Sequence, residues 1–349
     1  MEPRRILVIK LGHIGDVLVT TPVISALKTA FPRAAITALV NQGTEAMLQH
    51  NPHLDTLLVL RREHPSPWHA ASHQLHLLRR LRRGRFDLSL ELSGGDRGAF
   101  LSLAAGAGLR VGFAPKKPHL RARAFHLLAD QRGTQNHVVE TFLRQVRVLG
   151  LEPGRPPLVF RPGPQAERRA GELLERAGIS PGGYALVHPT SRWMFKSWTP
   201  AGNAGVIRRL LGQGLPVVLT CAPQDKELSF LRAVRAELGE APGLLDLGGR
   251  LDLLTLGALI RKARIFFGVD SAPMHMAAAL GVPQVVLFGP SGERMWGPWQ
   301  APGEVVALDW DCRPCGRDGC DGSKLSRCLL ELPPEMAIAA LERVLGGEG

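Results

Sequence analysis

The sequence predicts an α/β protein made of two consecutive parallel-sheet units, and three observations predict it. Short apolar runs alternate with longer stretches of helical periodicity, which is the rhythm of βαβ units. A segment rich in proline and glycine interrupts that rhythm near the middle of the chain, and the rhythm then restarts. At 349 residues the chain exceeds what one hydrophobic core usually serves.

The first unit opens with RILVIKLGHIGDVLVTTPVISALKTAFP. Ile6–Leu11 is an apolar run too brief for a helix. Gly12 and Gly15 permit backbone angles that other residues resist, and Val17, Val23, Ile24 and Leu27 recur at helical spacing. Asp16 stands where strand hands over to helix, the place where an open α/β sheet keeps its chemistry. A carboxylate there has two readings, a catalytic group or a helix cap that satisfies N–H groups and complements the dipole, and the segment alone leaves both open. Strands are expected at 6–10, 35–40, 56–59, 88–92 and 109–112. Residues 151–164 hold five prolines with glycines among them, unsuited to a helix or a central strand, so the domain boundary is expected here. The expected domains are 1–155 and 156–332, with 333–349 as a closing helix.

In the second unit, strands are expected at 184–187, 217–220, 244–246, 265–269 and 284–288. Helices are expected around 165–177, 200–213, 225–238, 252–262, 273–280 and 333–345. Two such units leave a cleft between the carboxyl edges of their sheets, where one ligand can bridge both.

Apolar residues make up 45% of the chain and the mean hydropathy is +0.01, as in a soluble globular protein. No run approaches the ~18 apolar residues of a membrane span, and Lys10 and Gly12 cut the N-terminal stretch before it becomes a signal peptide. A cytoplasmic location is expected. The net charge of +12 is unevenly placed: residues 1–155 carry 22 Lys and Arg against 11 Asp and Glu, residues 156–349 carry 21 against 20. Arg79, Arg80, Arg82, Arg83 and Arg85 form one cluster; Lys116, Lys117, Arg121 and Arg123 form another. Such clusters serve as solvated faces, or they attract nucleic acid, a phospholipid surface or an anionic glycolipid. With aromatics at 5%, a single tyrosine and no RNA-binding aromatic motif, nucleic acid is the weaker partner.

Three segments of the second half carry chemistry. In FFGVDSAPMHMAAALG a strand ends at Asp270, Ser271 can cap, Pro273 suits a first helical turn, the alanines propagate the helix and Gly281 stops it. A helix starting directly after a strand offers N–H groups to an anion, with His275 in reach as a donor or simply a satisfied helix-start histidine. In HPTSRWMFKSW, Thr190 and Ser191 are hydroxyl donors at a strand end and Lys196 is a point charge, a set suited to a diphosphate; Trp193, Phe195 and Trp198 suit core or a ligand face. Cys312, Cys315, Cys320 and Cys328 are spaced C-x2-C-x4-C-x7-C, which fits either a zinc site or reduced structural thiols, while disulfides do not suit a reducing compartment. Cys221, alone in a strand, is expected to pack. Walker A, H-E-x-x-H and G-x-S-x-G sequences are absent.

Taken together, KLGHIGDVLVTTP, HPTSRWMFKSW, GVDSAPMHMAAALGVPQVVLFGP and the late CRPC cluster, in this order, resemble the lipopolysaccharide heptosyltransferases that act on ADP-heptose. The resemblance spans nearly the whole chain. PTSRWMFKSW followed by VVLTCAPQDKE is most similar to the third, branch-adding type, and the second type shares the cysteine-rich tail. The resemblance implies a GT-B-like architecture, two Rossmann-like domains facing across a cleft. The first would bind an anionic lipopolysaccharide core acceptor and the second the nucleotide sugar, with inversion at the anomeric carbon and no metal or other cofactor. It implies that Asp16, in G-D-x-x-x-T-x-P, is the general base, that Lys196 binds the diphosphate, that Asp270 contacts the sugar, and that Ser271, Ala272 and His275 surround the phosphates. Gly12, His13 and the basic clusters would meet the acceptor. Where members of the family carry a ribose-binding glutamate, this chain has Gln224 then Asp225, and either can make that contact. Such an enzyme would work at the cytoplasmic surface of the bacterial inner membrane.

Two other functions fit the same residues. A nucleotide-sugar epimerase or hydrolase needs no acceptor, which the basic first half argues against; turnover of ADP-heptose alone discriminates it. A non-catalytic anion- or membrane-binding module is opposed by the presence of Asp16, Lys196 and Asp270 together.

Overall fold

The computed structural model describes residues 2–61, 66–115, 117, 120–131 and 136–347. The chain divides into two compact units, Met1–Arg161 and Pro162–Gly349. The first contains β1 (Arg5–Lys10), β2 (Ala35–Asn41), β3 (Thr56–Leu60), β4 (Leu88–Glu91), β5 (Leu109–Phe113) and β6 (Leu127–Ala129), all parallel, in the order β3-β2-β1-β4-β5-β6. The second contains β7 (Ala185–His188), β8 (Val217–Leu219), β9 (Leu244–Asp246), β10 (Ile265–Val269), β11 (Gln284–Leu287) and β12 (Gly303–Val306), also parallel, in the order β12-β11-β10-β7-β8-β9. Counted from its own first strand, each sheet has the doubly wound order 3-2-1-4-5-6. Each therefore has one switch point, between β1 and β4 and between β7 and β10, where loops diverge and leave room for a ligand.

The central strands read as unbroken apolar runs because both of their faces are covered. All of β7, β10 and β11 is buried, as is β1 after Arg5. The expected strands lie where the sequence puts them to within a residue at each end, but β6 and β12 were not expected. Both are edge strands of three and four residues, LLA and GEVV, too short to show a periodicity.

The single expected N-terminal helix is two helices, Ile14–Leu18 and Thr21–Ala30. Pro22 has no N–H to offer the carbonyl of Leu18. The Thr21 hydroxyl takes that carbonyl at 2.8 Å, and the Thr20 hydroxyl takes that of Val17 at 2.6 Å.

The boundary between units lies after Arg161 rather than after residue 155. Leu158 and Phe160 are buried, and Val159 N donates to Thr21 Oγ1 at 2.9 Å, which stitches the end of the proline-rich segment onto the first unit. The last helix, Pro334–Gly346, belongs to the second unit, where Ala337, Ala340 and Leu341 pack with Val206, Ile207 and Leu210.

In the first core, Leu7, Ile9, Leu39 and Leu58 of the sheet meet Leu77 and Leu81 of helix Pro67–Arg83 and Leu101 of helix Asp96–Ala105. In the second, Trp198 stands edge-on to Phe267 at 6.4 Å and donates its Nε1 proton to Leu332 O at 3.1 Å, so this tryptophan is core. No helix among the described residues is long and apolar enough to cross a membrane.

Candidate active site

At the switch point of the first unit, Asp16 occupies the third position of helix Ile14–Leu18. Its Oδ2 accepts the His13 backbone N–H at 2.8 Å, so the carboxylate does cap the helix. Neither Gly12 nor Gly15 has a positive φ. Gly12 is needed for closeness instead: a Cβ there would stand 2.7 Å from Asp16 Cβ. The loop is fastened on both sides, by Leu11 N donating to Ser93 Oγ at 2.7 Å and Asn41 Nδ2 donating to Gly12 O at 3.1 Å.

Beneath it lie two charged groups that the sequence reading did not place in the site. Lys10 is buried at the end of β1, with Nζ 3.0 Å from Leu92 O and 4.2 Å above the centre of the Phe142 ring. Burial lowers its pKa, opposed by the negative charges of Asp16 and Glu91. Glu91, fully buried at the end of β4, accepts from Ser93 N at 2.8 Å and Gly94 N at 2.9 Å. Burial raises its pKa against those bonds and Lys10. The signal available in the sequence was a single charge closing each apolar strand.

The basic clusters separate. Arg79, Arg80, Arg82 and Arg83 lie in the last turns of helix Pro67–Arg83, and Gly84 just beyond it accepts from Arg5 Nη1 at 3.3 Å, at the start of β1. That is the amino edge of the sheet, whereas Asp16 stands at the carboxyl edge. These arginines, expected to meet the acceptor, therefore stand a sheet-length from Asp16, because a crossover helix runs back along the strands. Arg121 pairs with Asp96 at 3.6 Å, where helix Asp96–Ala105 leaves the carboxyl end of β4, the same edge as Asp16. Lys117 is exposed in the connection after β5. Arg123 is exposed beside Ala124, whose carbonyl accepts from Arg110 Nε at 2.7 Å near the start of β5. Lys116 lies outside the described residues.

In the second unit, β7 ends at His188, a buried imidazole whose Nδ1 is 3.0 Å from Thr220 Oγ1 and whose pKa burial pulls down to about 4. Thr190 is fully buried and donates its hydroxyl proton to Glu227 Oε2 at 2.6 Å. Thr190 was expected to donate to a diphosphate; in this structure its one hydroxyl proton goes to Glu227 instead. Glu227, itself buried, also accepts from Ala222 N at 3.3 Å. Gln224 and Asp225 are exposed at the start of helix Asp225–Leu238, beyond the carboxyl end of β8. Ser191 Oγ accepts from Trp193 N at 3.4 Å, which leaves its own proton to give.

Lys196 ends a 3-10 turn, Met194–Lys196, and its Nζ is 2.6 Å from Asp270 Oδ2, just past β10. The same oxygen accepts from Ser291 Oγ at 2.5 Å, from the loop after β11. Ser291 was not anticipated; only the position of its loop beyond a strand end could have signalled it. Ser271 occupies the N-cap position of the buried helix Ala272–Ala279, with Pro273 in the first turn, but its Oγ makes no capping bond and is buried without a hydrogen-bond partner. Ala272 starts that helix and His275 is buried within it. A cation, a carboxylate, two hydroxyls and a row of helix-start N–H groups thus sit around one strand edge. Of the three aromatics on the loop, Trp193 is 45% exposed, tilted against Phe195 at 6.1 Å with Arg192 over its ring.

Among the described residues no group of three or more His, Cys, Asp or Glu side chains is placed to hold a metal, the four late cysteines included. Cys312 and Cys315 are exposed while Cys328 is buried against the Gly289 backbone, and burial raises its thiol pKa. The segment is instead organised by Arg313, which donates to Gly289 O at 2.8 Å, Leu308 O at 2.5 Å and Glu293 Oε2 at 3.0 Å, clamping both ends of the loop that carries Ser291. Cys221 is buried, and its thiol is pushed up to about 12.

Residues 74–325 match the model of glycosyltransferase family 9 (heptosyltransferase). The chain is 33% identical to lipopolysaccharide heptosyltransferase 3 of Escherichia coli over 95% of its own length and 96% of that protein. It shares its fold with a family 9 glycosyl transferase from Veillonella parvula (TM-score 0.84, 22% identity, 99% and 97% of the two chains). It likewise shares it with the ADP-heptose heptosyltransferase II of E. coli (TM-score 0.77, 20% identity, 99% of each chain).

Proposed function

The chain belongs to glycosyltransferase family 9, the heptosyltransferases, and from that membership we propose that it moves heptose from ADP-heptose to the inner core of lipopolysaccharide with inversion, as the third, branch-adding type. The observation that carries this reading is the Lys196–Asp270–Ser291 cluster beside the helix that starts at Ala272. Transfer breaks the bond between the anomeric carbon and the diphosphate, so negative charge accumulates on the departing ADP. Lys196, the Ser191 and Ser271 hydroxyls and the helix-start N–H groups are donors suited to that charge. Asp270 holds Lys196 in place and offers its other oxygen to a sugar hydroxyl. Gln224 or Asp225 meets the ribose.

On the acceptor side, Asp16 takes the proton from the attacking hydroxyl while the new bond to the anomeric carbon forms. His13, Lys117 and Arg121 meet the anionic glycolipid, and the enzyme works peripherally on the cytoplasmic face of the inner membrane. Incubation with ADP-heptose and a truncated core glycolipid, with ADP release measured, tests the reading. Release that requires the glycolipid supports transfer; equal release without it makes the protein a hydrolase, and no release in either case removes the activity.

A further inference from the structure

Helices Pro67–Arg83 and Asp96–Ala105 lie side by side on one face of the first sheet, and the 3-10 turn Leu120–Ala124 packs on the second of them. Their inward residues Leu77, Leu81 and Leu101 fill the core. Their outward residues are apolar as well: Trp68 is 84% exposed, Leu120 73% and Phe100 54%, with Leu75 and Leu103 about half exposed. Trp68 and Leu75 are two helical turns apart and Phe100 and Leu103 one, so each pair forms a stripe on its helix. Among the described residues of the first unit, the other large exposed apolar side chains are only Leu128 and Val148.

Between and beyond these stripes lie exposed cations, Arg79, Arg83, Arg97 and Lys117. Helix Pro67–Arg83 contains no Asp or Glu, and the one acid of helix Asp96–Ala105, Asp96, faces Arg121. A merely solubilising surface would interleave acids and omit the tryptophan and phenylalanine. Nucleic acid would take the cations but leave three leucines in water.

We propose that this face docks on an anionic lipid bilayer, with Trp68, Leu75, Phe100, Leu103 and Leu120 entering the headgroup layer and the cations pairing with lipid phosphates. It deepens the reading of the acceptor as a membrane glycolipid, and it gives the Arg79–Arg83 cluster a partner that does not have to reach Asp16.

The test is co-sedimentation with vesicles of phosphatidylethanolamine and phosphatidylglycerol, against vesicles of phosphatidylcholine alone. The full chain is expected to bind the anionic vesicles, weakly the neutral ones, and less as salt rises, because the Debye length is already ~8 Å at physiological ionic strength. Arg79→Gln with Arg83→Gln lowers binding by about fivefold per arginine. Trp68→Ala with Phe100→Ala lowers it as well, while leaving transfer to a detergent-solubilised acceptor unchanged. Equal binding to both vesicles, no binding to either, or unchanged binding by both double variants overturns the docking face. Vesicle binding without transfer to the solubilised acceptor instead overturns the enzymatic reading and leaves the docking face standing.

Discussion

Lys196 and Asp270 are 74 residues apart in the chain and 2.6 Å apart in space, because β7 and β10 are neighbours at the switch point of the second sheet. Asp270 is nearly buried and also holds Ser291, so the lysine ammonium is aimed rather than free to sweep. Replacing Lys196 by Met removes both the aimed charge and the partner of a buried carboxylate. Turnover is expected to fall by about 100- to 1,000-fold, with weaker ADP binding. Steady-state kinetics and calorimetric titration with ADP check it; unchanged ADP affinity assigns the lysine to Asp270 alone.

Asp16 caps its helix through Oδ2, and Asn at that position keeps an oxygen for the His13 N–H but cannot take a proton. Asp16→Asn is expected to melt near the native temperature, bind ADP-heptose as before and lose turnover by roughly 100- to 10,000-fold. Normal turnover per folded molecule would falsify the general-base role and leave the cap.

Thr190 spends its proton on Glu227 inside the second unit. Thr190→Val leaves that buried carboxylate short of a donor, so a stability loss of about 1–3 kcal/mol is expected from denaturant unfolding. ADP affinity is expected to stay within a few-fold of native. A large loss of affinity without loss of stability restores Thr190 to the phosphate site.

His188, held down to about 4 against an ordinary value near 6.5, is neutral in the folded protein where the unfolded chain would accept a proton. Below pH 6.5 the unfolded state binds more protons, so stability is complete above that pH and is lost progressively as pH falls towards 4. Thermal melts between pH 7 and 4.5 should show this slope, and His188→Gln should flatten it. An identical slope in the variant locates the acid sensitivity elsewhere.

The thiols should divide by burial. Iodoacetamide on the native protein is expected to label Cys312 and Cys315 quickly and to spare Cys221, whose thiol is pushed up to about 12, and Cys328 until unfolding. Mass spectrometry of the labelled peptides reads the order; protection of Cys312 and Cys315 that a chelator abolishes returns the cluster to metal binding.

Much of the fold was legible because it is written in local periods. A fully buried parallel strand such as β10 is an apolar run, and the helix that follows it begins with a serine at the N-cap position and a proline in the first turn, Ser271 and Pro273. The same local grammar put Asp16 and Asp270 at strand ends and Lys196 on the loop that follows one, where chemistry collects. What β6 and β12 lacked was length, since three or four residues at a sheet edge need no pattern to be held by one neighbour. Pairing was not legible at all. Whether the Thr190 proton goes to a ligand or to Glu227, 37 residues on, depends on which strand lies beside β7. Whether an arginine after β3 faces Asp16 or the far edge depends on the direction of a helix crossing over the sheet. By itself the sequence determined which segments become strands and helices and which residues stand at their ends. Only the tertiary structure decided which ends meet, because strand order is set by burying whole faces together and leaves no mark at any single residue.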